Sequence, residues 1–125
     1  MEGNPFCIGG VINLINGENV KNALIPGLPR DKMFLIEFVG VNGFAQSDQI
    51  IFVSIEVYTG ARPGVYPIVL MGSSPYWDPT CPKRVFGSQR VILYADPNAD
   101  ITVAVARNNT NQDARVIIEL AGRIF

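Results

Sequence analysis

Apolar, β-branched runs alternate with short clusters of Gly, Pro, Asn and Asp along this chain, and the alternation predicts strands and turns from end to end. The runs are Cys7–Ile15, Met33–Val41, Gln49–Thr59, Val65–Met71, Gln89–Tyr94, Ile101–Arg107 and Arg115–Ile124. Between them stand Asn16-Gly17, Asn42-Gly43, Pro63-Gly64, Gly72-Ser73-Ser74-Pro75, Asp96-Pro97-Asn98 and Asn108-Asn109. Each cluster carries a residue that tolerates positive φ or presets a turn. Arg62-Pro63-Gly64 reads as the centre of a type II turn, with Pro fixing φ near −65° and Gly supplying the positive φ after it. Asn16-Gly17 is a two-residue hairpin signal. Strands at this spacing, joined by short turns, predict a sandwich or barrel.

The last run fits two periods. Arg115, Glu119 and Arg123 recur every four residues, as do Val116, Leu120 and Ile124, which suits an amphipathic helix. The β-branched Val116-Ile117-Ile118 and the interrupting Gly122 argue for a strand instead. As a strand it carries Val116, Ile118, Leu120 and Ile124 on one face and Arg115, Glu119 and Arg123 on the other.

Two runs lack a wet face. In Met33–Val41, strict alternation puts Phe34, Ile36 and Phe38 on one side and Leu35, Glu37, Val39 and Val41 on the other. In Gln49–Thr59 it sets Ile51, Val53, Ile55 and Val57 against Ile50, Phe52, Ser54, Glu56 and Tyr58. A sandwich strand with one solvated face should alternate apolar with polar. Here only Glu37, Ser54 and Glu56 interrupt the apolar set. With little length spent on loops, these outward faces are expected to be covered by further copies of the chain.

Composition strengthens that expectation. The 125 residues make one domain, 48% hydrophobic and only 17% charged, against about 25% charged in a typical soluble domain. Ten Lys and Arg against eleven Asp and Glu leave a net charge of −1, so there is no electrostatic footprint for nucleic acid or an anionic membrane. The chain has no histidine, which excludes His-based triads, His general bases and His-ligated metals. No basic n-region with an apolar h-region opens the chain, and no apolar run approaches the ~20 residues of a membrane helix. Those features set the default expectation of a cytoplasmic protein. Cys7 and Cys81 form no CxxC pair; they either bridge the first strand to a mid-chain loop or stay as separate thiols.

Catalytic signals are sparse. The serines and cysteines lack a histidine base and a G-x-S-x-G elbow, and the glycines form neither a P-loop nor G-x-G-x-x-G. Asp96, Asn98 and Asp100 begin like a calcium loop, but position six is Ile101 and position twelve is Arg107, so an ordinary turn fits better. Glu37 and Glu56 would be the pair for acid/base chemistry. Seven arginines against three lysines make arginine pairing the plainer reading of both. No enzyme, catalytic residue, cofactor or metal is expected.

The one unusual segment is Ser73–Arg84, which holds the only tryptophan, a tyrosine beside it, three prolines, an acid and two bases. Tyr76, Trp77, Asp78 and Arg84 suit a carbohydrate, with a sugar ring stacked on an aromatic face and polar groups bonding its hydroxyls, while prolines hold the platform rigid. The alternative is a plug, with Trp77 folded over one end of the sandwich.

Val91–Pro97, Ile101–Val105 and Val116–Gly122, with Ile36-Glu37-Phe38-Val39 before them, resemble a strand pattern in small bacterial β-sandwich proteins. The pattern spans about Met33 to Phe125 and is similar in architecture to the jelly roll of tumour necrosis factor-like domains. That resemblance implies a homotrimer and supplies no catalytic residues. The Pro-rich insertion after Met71 departs from it. The expected protein is therefore all-β, a jelly-roll-like antiparallel β-sandwich of about seven to eight strands. Its expected function is that of a non-catalytic, trimeric binding module for a glycan, or of an assembly protein whose role is the homo-oligomer itself.

Overall fold

The alternating runs do form strands, and every strand pairing is antiparallel. The computed structural model describes residues 3–25, 31–46, 48–59, 62–68, 72–75, 83–98 and 100–125. Among them are nine strands: β1 (Asn4–Leu14), β2 (Val20–Leu24), β3 (Phe34–Ala45), β4 (Ile51–Thr59), β5 (Arg62–Ile68), β6 (Gly72–Pro75), β7 (Lys83–Ala95), β8 (Thr102–Arg107) and β9 (Ala114–Ile124). Sheet A has the order β1-β9-β3-β7-β6 and sheet B the order β2-β8-β4-β5. The protein is an all-β sandwich. Its pairings β1·β9, β2·β8, β3·β7 and β4·β5 are nested, so the first half of the chain folds back along the second.

The core lies between the sheets. Ile51, Val53, Ile55 and Val57 of β4 point into it as alternation requires, and Val116, Ile118 and Leu120 of β9 are fully buried opposite. The final run is thus a strand, with Arg115 and Glu119 on its outward face. Phe6 and Phe34 meet edge to face at 5.6 Å near one end of the core.

Several local expectations give way to tertiary context. Two strands were not predicted: the short edge strand β2, mostly exposed, and β6, which makes a strand of the expected loop Gly72–Pro75 by pairing with β7. Asn42-Gly43 does not break the chain but lies within β3. There Gly43 faces inward, and a Cβ would come within 2.7 Å of Val85 Cγ2, so the glycine allows a close approach instead of a turn. Arg62-Pro63-Gly64 is not a turn centre either, since Thr59, Tyr58 and Val57 pair with Arg62, Pro63 and Gly64 in turn. Its prolines are tolerated because β5 is the edge of sheet B. Asn16-Gly17 does turn, with Gly17 at φ 97°, but the strands it joins lie in different sheets and form no hairpin.

The face assignment of β3 also fails midway. A β-bulge falls between Ile36 and Phe38: across it Gly122 and Ala121 of β9 are consecutive, so Glu37 is the extra residue. Phe34 and Ile36 point inward, but Phe38 turns out, 38% exposed, and Val39 and Val41 take the core positions. Gly122 makes the bulge possible, because a Cβ there would lie 1.8 Å from the Leu35 carbonyl oxygen.

One end of the sandwich is bound together by two buried polar side chains. Arg107 donates from Nε to the Glu18 carbonyl, from Nη1 to Gln112 and from Nη2 to Ile15, each at 2.8 Å, with Thr110 a further acceptor. Gln49 donates to the carbonyls of Asn109 and Asn111 and accepts from the Gln46 amide. These bonds tie the β1–β2, β3–β4 and β8–β9 connections into one cluster, satisfying loop carbonyls that would otherwise be buried unpaired.

Candidate functional site

The bulge shapes the outer face of sheet A. Two depressions meet there at Phe38. The larger, about 790 Å³, crosses all four long strands of the sheet and is lined by Pro5, Glu37, Phe38, Arg90, Ile92 and Arg123 among others. The smaller, about 390 Å³, continues along β3 and β7 past Gly40, Asn42, Arg84, Phe86, Ser88 and Glu119. Together they form a groove with an aromatic floor and charged sides.

Each wall residue is set by strand register. Phe38 stands opposite Arg90 on β7 and Ala121 on β9, so a large ring sits between a cation and a small side chain. Its ring leans over Gly40, where a Cβ would lie 3.3 Å from Phe38 Cε1. Arg123 meets Glu37 in a two-pronged pair, Nε to Oε1 at 2.9 Å and Nη2 to Oε2 at 3.2 Å. The arginine partner expected for Glu37 is therefore Arg123. Both side chains are about 40% exposed, so the pair positions more than it stabilises, at roughly 0.2–1 kcal/mol. Among the described residues Glu56 has no such ion pair. It lies on the outer side of sheet B, whereas Glu37 lines the groove of sheet A, so the two carboxylates stand on opposite sides of the sandwich. Glycosidase-type acid/base chemistry needs its two carboxyl groups about 5–9.5 Å apart across one substrate, and carboxylates on opposite sides of the sandwich do not meet that.

Of the four sequence-predicted site residues, Arg84 lies on β7 at the mouth of the smaller depression. Its Nη2 donates to Asn42 Oδ1 at 2.7 Å, and its guanidinium carbon lies 5.3 Å from the Phe86 ring centre. Tyr76, Trp77 and Asp78 lie outside the described residues, as does Cys81. Cys7 is a free, exposed thiol on β1. Among the described residues no three His, Cys, Asp or Glu side chains converge on a point where a metal ion would sit. Asp96-Pro97-Asn98 forms the turn expected of it, Asn98 taking φ 65°.

Sequence reading missed Phe38, Arg90, Asn42 and Glu119 as a group. Strict alternation puts Phe38 on one face with Phe34 and Ile36, and a β-bulge leaves no reliable mark in one sequence. The one pointer in the sequence is Gly122, which by itself argues only against a helix there.

No known protein family matches the chain, and no curated protein matches it in sequence.

Proposed function

We propose that this protein is a non-catalytic, homo-oligomeric binding module on a jelly-roll scaffold, taking a carbohydrate along the outer face of sheet A. With β6 set aside, the nested strand pairs support the jelly-roll reading, since a long antiparallel hairpin rolled into two sheets has that order. The observation that carries the binding reading is the groove at Phe38. It offers an exposed aromatic ring on a rigid strand, flanked by Arg, Glu, Asn and Ser groups that bond hydroxyls. Its smaller end reaches Arg84, next to the start of β7, where the segment bearing Tyr76, Trp77 and Asp78 rejoins the sheet.

Titrating the protein with oligosaccharides of several classes tests the reading. At least one class should bind, and Phe38→Ala should weaken binding by at least about tenfold, or 1.4 kcal/mol, with the strand spectrum unchanged. Trp77 emission should shift on binding; a blue-shifted emission indifferent to every sugar removes Trp77 from the site. Failure of all saccharides to bind would overturn the module reading.

A second reading, an assembly protein whose role is the oligomer, is favoured by the outer face of sheet B. Val20, Leu24, Phe52 and Val65 there are each more than half exposed. Monomeric proteins rarely leave such a patch bare. A trimer, as the tumour necrosis factor-like resemblance suggests, would cover it.

A further inference from the structure

The groove on sheet A is unevenly charged, and the unevenness selects a ligand. Resting on the carbohydrate reading above, we propose that the ligand is an acidic saccharide, a chain containing a hexuronic acid whose carboxylate is held by Arg90 while its ring lies on Phe38.

The larger depression has three charged side chains, Glu37, Arg90 and Arg123; the rest of its lining is apolar or glycine. Glu37 gives both oxygens to Arg123, which leaves one positive charge. That charge is Arg90, which has no ion pair or hydrogen bond among the described residues. A guanidinium is a planar fork that matches a carboxylate with two parallel bonds. Beside an apolar floor it gains more from a carboxylate than from a neutral hydroxyl.

Register puts the two halves of the recognition together. Phe38 and Arg90 are directly opposite on β3 and β7, with Cβ atoms about 5 Å apart in such a pair, so a ring stacked on one is within reach of the other. Ala121, the other neighbour of Phe38, leaves the space above open. The smaller depression differs: Arg84 and Glu119 balance, Asn42 and Ser88 add neutral polar groups, and Arg84 is already held by Asn42 and Phe86. That end suits an uncharged sugar. A chain that carries its acid at Arg90 and continues with a neutral unit past Gly40 fits both.

An acidic peptide would bring carboxylates too. Peptides bound to sheets add to a free edge, where their backbone finds partners. This groove runs over the face of β1, β9, β3 and β7, whose backbones pair with one another.

Calorimetry on the intact chain separates the cases, using oligogalacturonate, hyaluronan oligosaccharides, a neutral cello-oligosaccharide and polyglutamate. The two uronate chains should bind most tightly and weaken as salt rises, because the groove is open to solvent. Arg90→Gln should weaken them by at least about tenfold with an unchanged melting curve. Arg115→Gln, an exposed arginine on the same face but outside the groove, should leave them unchanged. If the neutral chain binds as tightly and Arg90→Gln is silent, the acidic-sugar inference falls and the module reading stands. If no saccharide binds, both fall. Equal losses for Arg90→Gln and Arg115→Gln, or polyglutamate matching oligogalacturonate, would overturn the inference in favour of diffuse charge attraction or an acidic peptide.

Discussion

Arg107 is the one charged side chain buried among the described residues, and it meets only carbonyl oxygens, those of Ile15, Glu18, Thr110 and Gln112. A guanidinium can do this because its donors radiate in a plane and reach several loops at once. Arg107→Met removes all four bonds and leaves carbonyls without donors, so urea unfolding should lose about 2–4 kcal/mol. Arg107→Lys should recover only part of that loss, since an ammonium is a single point of contact. An unchanged midpoint in both variants would mean that water replaces the arginine at no cost. None of this was legible beforehand, because the acceptors are backbone atoms brought together from both ends of the chain. Glu37 is the contrasting case. That it would pair with an arginine was readable from composition, and which arginine came only with register.

At the scale of the strand, β9 and β3 divide the same way. The alternation in β9 is unbroken up to Leu120 and placed its inward and outward residues correctly. The alternation in β3 is equally regular in the sequence, yet one inserted residue, Glu37, reverses it and separates Phe38, on the surface, from Phe34 and Ile36 in the core. Gly122→Ala tests how strongly the bulge is held. Its Cβ would collide with backbone, the Leu35 carbonyl, which cannot rotate away. The variant should lose about 3 kcal/mol, the upper end for overpacking. Saccharide binding should weaken with it if the bulge aims the Phe38 ring. Full stability would mean that the strand pair relaxes to a different register.

For the whole molecule, the test is mass. The outer face of sheet B presents Val20, Leu24, Phe52 and Val65 with Glu56 as its charged member among β4 and β8 residues, and light scattering on a sizing column should give three chains per particle. Phe52→Glu puts a second carboxylate on that face beside Ala106. It should yield monomers that keep the wild-type strand content, because Phe52 contributes nothing to the core. A wild-type monomer would end the assembly reading. A Phe52→Glu trimer would move the contact to another surface. The sequence expectation of two double-apolar strands was right about apolar outward residues, but β3 and β4 sit in different sheets and face opposite sides. One face became a groove with charges, the other an apolar patch.

Strand runs, the all-β class, the strand nature of the last segment and the excluded chemistries all follow from short-range features: side-chain period, turn residues and the lack of histidine. Such features are local, so a single chain displays them in order. The bulge at Glu37, the strands made of Gly72–Pro75 and Asn42-Gly43, the burial of Arg107 and the meeting of Phe38 with Arg90 depend on pairing partners up to a hundred residues away. Backbone hydrogen bonding and close packing between sheets settle those, since an unpaired buried carbonyl or an overlapping Cβ costs more than a local turn preference is worth.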